Sequence, residues 1–248
     1  MIIGTNTAGV PINSKNNISV AFGSAPEPLP IPTDGLIAWY DASDASTITK
    51  DSSDLVSEWQ DKSGEDNHIS QSTGSKQPLW VDDVQNGKPI IRFDGVDNSL
   101  FRATFTDGSI SQVTTWFIVL KMPTNYFQYA VDSRDGTDRQ FLAHGNTTAG
   151  TFDMYAGTEL ETTTIDTSNI LLYTLVFNGA SSSARRSESS YLSGNAGSNG
   201  MQGVTLGGRF NDTGYGNPDI ADFIIYDKAL STEDRDEVED YLTDKWGL

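Results

Sequence analysis

The chain has 248 residues and a formal net charge of −18. That charge excludes nucleic acid as an expected partner, since phosphate binding needs a basic surface. There is no cysteine, so disulfides and thiolate metal sites are excluded and the fold must rest on its apolar core.

The first residues, Met1-Ile2-Ile3-Gly4-Thr5-Asn6, lack the basic region and long apolar run of an export signal, and nothing predicts a membrane span. Residues 1–25 read as an N-terminal arm. Within it Ile18, Val20 and Phe22 alternate with Ser19 and Ala21, the period of a strand that pairs with a partner chain or with the main domain. Pro26, Pro28, Pro30 and Pro32 follow. Each fixes φ near about −65° and pushes the preceding residue toward extended geometry. Residues 26–33 therefore read as a semi-rigid polyproline II spacer between the arm and a domain over residues 34–248.

Strand-like runs recur from there onward, at 36–40, 55–60, 89–93, 99–105, 113–122, 127–131, 139–144, 152–156, 170–178, 189–192, 204–207 and 220–226. Turn chemistry separates them, as at Asp94-Gly95, Asp107-Gly108, Asp135-Gly136 and Gly207-Gly208. Trp116-Phe117-Ile118-Val119-Leu120 and the run from Ile170 to Phe177 are near-continuously apolar, which predicts central strands covered on both sides. One helix is predicted near the end. Ser231 is its N-cap, Asp234 lies where a capping box places an acid, and Val238, Tyr241, Leu242 and Trp246 follow helical spacing to a stop at Gly247.

Four segments carry a resemblance. They are Gly35-Leu36-Ile37-Ala38-Trp39-Tyr40-Asp41-Ala42, Val56-Ser57-Glu58-Trp59-Gln60-Asp61-Lys62-Ser63-Gly64, Pro89-Ile90-Ile91-Arg92-Phe93-Asp94-Gly95, and Ile224-Ile225-Tyr226-Asp227-Lys228-Ala229-Leu230-Ser231. In order and spacing the chain resembles the LamG-like branch of the concanavalin A-like lectin/glucanase superfamily over residues 34–248. The resemblance implies an all-β fold, two antiparallel sheets in a jelly-roll sandwich, with one short C-terminal helix. It does not choose a function, because the superfamily holds lectins, hydrolases, adhesion modules and phage virion proteins.

Catalytic signatures are missing. The Glu-x-Asp-x-x-Glu pattern of the superfamily's glucanases does not occur, and Glu159 and Glu161, although spaced for one strand face, lack a third carboxylate. His68 and His144 are the only histidines and have no zinc-site spacing. No cofactor is required by any motif. Calcium is the one ion that loop chemistry allows, with Asp212 and Asp219 as ligands, or the pairs Asp41 with Asp44 and Asp94 with Asp97. The 211–219 loop also suits a sugar. Tyr215 offers a planar ring and Asn211, Asp212 and Asn217 offer hydrogen-bonding groups, while Tyr126 and Tyr129 form a second aromatic stretch.

A sandwich without export signal, cysteine or catalytic motif, tethered by an arm, predicts a non-enzymatic bacteriophage virion protein. It would be a capsid decoration or a tail or fibre component, assembled in the host cytoplasm. Its expected partners are capsid or tail proteins through the arm, further copies of itself, and a cell-surface polysaccharide. A free carbohydrate-binding module or lectin is the second reading, and a polysaccharide hydrolase or lyase the third.

Overall fold

A computed structural model of the chain describes residues 29–124, 126–146 and 148–248. The arm, with Ile18, Val20 and Phe22, lies outside the described residues. Strand β1 spans Leu36–Asp41, β2 Ile48–Lys50, β3 Val56–Trp59, β4 Ile69–Ser70, β5 Leu79–Gln85 and β6 Lys88–Arg92. Next come β7 (Leu100–Arg102), β8 (Thr114–Lys121), β9 (Gln128–Ser133), β10 (Phe141–His144), β11 (Phe152–Tyr155) and β12 (Glu159–Thr162). Last are β13 (Leu171–Phe177), β14 (Ser182–Arg186), β15 (Ser189–Gly194), β16 (Val204–Leu206), β17 (Asp219–Tyr226) and helix α1 (Thr232–Trp246).

These strands make two antiparallel sheets. One has eight strands in the order β15-β14-β13-β8-β17-β6-β5, with β1 also paired to β17. The other has nine in the order β12-β11-β10-β9-β16-β7-β4-β3-β2. Side chains between the sheets form the main core. Trp116, Ile118 and Phe223 of the first sheet join Trp59, Leu142, Phe152 and Leu206 of the second. The Trp116 ring lies 4.8 Å from that of Phe177 and 5.6 Å from that of Phe223.

The apolar run in β8 is covered on both faces, as its sequence predicts. Trp116, Ile118 and Leu120 point into the sandwich, while Phe117 and Val119 pack under Val238, Leu242 and Trp246 of α1. Ser231 caps that helix by accepting from the Asp234 N–H at 3.0 Å, and Gly247 closes it in the left-handed region at φ 65°. No helix among the described residues is long and apolar enough to cross a membrane.

A charged cluster fastens the helix to its sheet. Asp222 accepts from the indoles of Trp39 (2.7 Å) and Trp246 (3.0 Å) and pairs with Lys245 at 2.5 Å. Lys245 also reaches Asp41 at 2.6 Å, and Lys62 bridges Asp41 and Asp44 at 2.8 and 2.9 Å. Burial pushes the Asp41 carboxyl up, but Lys245 and Lys62 outweigh it and hold it at about 2.

The proline-rich segment differs from a free rod in its last residues. Ile31 is only 3% exposed, and Leu29 packs on the same patch with Leu36, Trp39 and Ile90. The Tyr226 hydroxyl donates to the Pro32 carbonyl at 2.8 Å. The cause is the alternation of Leu29 and Ile31 with prolines, which sets apolar side chains along an extended backbone. Among the described residues, those from Leu29 onward thus already pack against the domain.

Candidate functional site

Three loops meet at one end of the sandwich: 93–99 after β6, 122–127 between β8 and β9, and 207–218 between β16 and β17. Each is fixed by local chemistry. Asp94 Oδ1 accepts from the N–H groups of Val96 (2.8 Å), Asp97 (3.3 Å) and Asn98 (3.3 Å), which shapes the first loop. Gly95 adopts φ +74°, and a Cβ there would stand 3.2 Å from that of Asn217, so glycine lets the first loop lie against the third. In the third loop, a Cβ on Gly216 would fall 2.6 Å from the Tyr129 carbonyl oxygen.

Gln128 ties the loops together from below. Its Nε2 donates to the Thr124 carbonyl at 2.7 Å, and its Oε1 accepts from the Asn217 N–H at 3.1 Å. His144 Nδ1 lies 3.1 Å from the same Thr124 oxygen, and a carbonyl only accepts, so Nδ1 carries the proton. Burial lowers the pKa of this imidazole. Thr124 Oγ1 completes the frame by donating to Asn217 Oδ1 at 3.3 Å.

The frame encloses a recess of about 100 Å³, walled by Asp94, Thr124, Gln128 and Asn217 and by the rings of Tyr126, Phe127 and Tyr215. Its rim is unusually apolar. Tyr126 is 65% exposed and Phe127 43%, and Val96, in the first loop but outside the lining, is 72% exposed; these are three of the four exposed large apolar side chains among the described residues. Polar atoms also remain open there. Asn217 Nδ2, Asp94 Oδ2 and the hydroxyls of Tyr126 and Tyr215 have no hydrogen-bond partner among the described residues. Burial raises the Tyr215 pKa, and the charges of Asp212 and Asp97 raise it further.

Sequence reading lists Tyr126 in a stretch separate from the 211–219 loop of Tyr215 and Asn217, and the structure lines one recess with all three, although 89 residues separate Tyr126 from Tyr215. It misses Thr124, Phe127, Gln128 and the Asp94-Gly95 turn, all of which were legible as loop or aromatic-polar sequence. Tyr129 is a correction: it is 1% exposed and cannot offer its ring to a ligand. It lies at the start of β9 beneath the loops, edge-on to Phe127 and Phe141, with its hydroxyl donating to Asn146 Oδ1 at 2.5 Å. Asn211 is at the loop tip, outside the recess lining, and accepts from the Thr213 hydroxyl at 2.6 Å.

The carboxylates expected to hold calcium are engaged elsewhere. Asp212 pairs with Arg134 at 2.8 Å, and Asp219 takes two bonds from Arg92 at 2.7 and 2.8 Å. Asp41 and Asp44 hold Lys62, and Asp94 holds its own turn. Among the described residues no group of three or more His, Asp or Glu side chains is placed to hold a metal ion.

Two other polar groups are engaged within the chain. Arg139 and Asp132 form a buried two-bond pair at 2.8 Å, enclosed by the rings of Phe141 (4.5 Å), Phe210 (5.0 Å) and Tyr129 (5.1 Å). Glu159, on edge strand β12, accepts from Asn146 Nδ2 at 2.7 Å. A larger cavity of about 390 Å³ opens near Ile37, Phe105 and Ile110, but the amides in its wall, Asn67 and Gln112, are occupied by backbone groups.

No protein-family model matches the chain, and no curated protein matches it. Solved structures do resemble it. The ligand-binding domain of botulinum neurotoxin serotype D, in complex with N-acetylneuraminic acid, is 14% identical with a TM-score of 0.57, over 84% of this chain and 51% of that one. The binding domain of Paraclostridial Mosquitocidal Protein 1 is 16% identical with a TM-score of 0.57, over 86% and 53%. Trypanosoma rangeli sialidase in complex with the inhibitor DANA is 12% identical with a TM-score of 0.58, over 84% and 33%. The chain therefore spans about a third of the sialidase and about half of each toxin domain. At these identities the likeness is one of fold, and that fold is a sandwich of two antiparallel β-sheets.

Proposed function

We propose that this chain is a non-enzymatic glycan-binding module and that the recess between the three loops is its sugar site. The observation that carries this reading is the pairing of an exposed aromatic rim with unoccupied polar atoms on a rigid frame. A pyranose ring has an apolar face and an edge of hydroxyls. Tyr126 and Tyr215 suit the face, while Asn217 Nδ2 and Asp94 Oδ2 suit the edge. The likeness to a toxin domain seen with N-acetylneuraminic acid adds support. A glycan array followed by calorimetry tests the site. Tyr215→Ala and Asn217→Ala should each abolish measurable binding, and binding that survives both changes overturns the assignment. Glu159→Gln and Glu161→Gln should leave it intact, and release of reducing ends from polysaccharide by the wild type would make the module an enzyme.

The finer setting we propose is a LamG-like jelly roll displayed on a bacteriophage particle, attached through the arm with Ile18, Val20 and Phe22. Its support is the arm and spacer sequence. Many copies on one particle raise a weak monovalent affinity by about 10²–10⁴ through avidity. Deletion of residues 1–28, which spares the packed Leu29 and Ile31, should abolish particle association and leave a folded domain. Retained association overturns the setting.

A further inference from the structure

The charge around the recess narrows the class of sugar, an inference that rests on the glycan-binding reading. Asp94 is the only ionised side chain in the lining. Its Oδ1 is occupied by three backbone N–H groups, and its Oδ2 has no partner among the described residues. Two more carboxylates, Asp97 and Asp212, lie close enough to the Tyr215 hydroxyl to oppose its ionisation.

Two of the nearby cations are already committed, while Lys121 and Arg209 have no ion-pair partner among the described residues and lie outside the recess lining. Arg134 pairs with Asp212 and stacks on Phe101 at 4.0 Å, and Arg92 pairs with Asp219. Lys121 lines a separate, adjoining recess with Arg92 and Asp219, on the far side of a wall made by Asp94 and Asn217. An arriving carboxylate or sulfate would therefore meet Asp94 with no free cation in the lining to replace its water. A hydroxyl or an ammonium can donate to that same oxygen.

We propose that the recess selects uncharged or ammonium-bearing sugars and rejects carboxylate- and sulfate-bearing ones. It would thus differ from the serotype D domain, whose solved complex holds an acidic sugar. Like charges about 4 Å apart disfavour binding on the order of tenfold where water fills the space and the dielectric is close to that of bulk water, and less so as salt is raised.

The test uses the full chain and matched pairs of immobilised oligosaccharides: lactose with sialyl-lactose, and galactotriose with trigalacturonate. The neutral member of a pair should bind on the order of tenfold more tightly. Asp94→Asn keeps an Oδ1 acceptor for the turn and should shrink the gap severalfold. Asp212→Asn frees Arg134 and should strengthen acidic-sugar binding relative to neutral, with a steeper salt dependence. Equal or tighter binding of the acidic members by the wild type overturns the selectivity while leaving the sugar site standing, and so does a gap that Asp94→Asn does not change. Binding of neither member in any pair overturns the glycan reading and the selectivity with it.

Discussion

The region under α1 and the recess at the loop end use the same residue types to opposite effect. Under the helix, Asp41 and Asp222 face lysines and indole N–H groups, and these carboxylates are matched by donors. At the recess, Asp94 Oδ2, Asn217 Nδ2 and two tyrosine hydroxyls are open, and the aromatic rings beside them face solvent. Polar groups that find partners inside the chain fasten its elements. Groups held rigid without partners are free to recognise something else.

Substitutions in the two regions should separate stability from binding. Asp222→Ala removes one of the two carboxylates that hold the Lys245 ammonium and strands two indole N–H groups, and should cost about 3–5 kcal/mol in urea unfolding. Gln128→Ala would blur the division, because Gln128 lies in the frame. It leaves the Asn217 N–H without its partner and the Thr124 carbonyl with His144 alone, so a loss of about 1–3 kcal/mol is expected together with loss of sugar binding. If stability falls but binding persists, the frame does not position the site.

Acid should act through His144. The unfolded imidazole takes a proton as pH falls through 6.5, while burial holds the folded one neutral to lower pH. The unfolded state then binds more protons at this site, so the His144 contribution to stability declines as pH drops below 6.5, against the opposite contribution of Asp132, Asp153 and Asp222, whose carboxyls burial raises to about 6. His144→Gln should remove the His144 contribution from the pH profile of unfolding. The smallest stability effect belongs to Tyr126→Ala, within about 0.5 kcal/mol because the ring is mostly exposed, although it should weaken sugar binding. A large loss of stability there would mean that Tyr126 holds the loop rather than a ligand.

Much of the fold was legible because burial writes a period into sequence. Each of the twelve predicted runs contains or overlaps a strand, and the caps of α1 are Ser231 and Gly247 as read. The strands that escaped, β2, β4, β5, β12 and β14, are short, polar or at sheet edges. In β14, Ser182-Ser183-Ala184-Arg185-Arg186 gives the core only Ala184. In β5, Asp82 and Asp83 interrupt the alternation where the pairing with β6 is irregular. The site was half legible. Loop sequences show which aromatics and amides are available, but not which way each faces. Tyr126 and Tyr129 are three residues apart, yet one is at the rim and the other beneath it. The arginines that occupy Asp212 and Asp219 are 78 and 127 residues away in sequence, beyond any local pattern.

The docking of Leu29 to Pro32 has a mechanical consequence. The segment from Leu29 to Pro32 does not swivel freely against the domain, since Ile31 is seated and the Pro32 carbonyl is held by Tyr226. A load applied through the leading end would reach that seat first and be shared with β17 and the helix layer before it could peel β1 from its sheet.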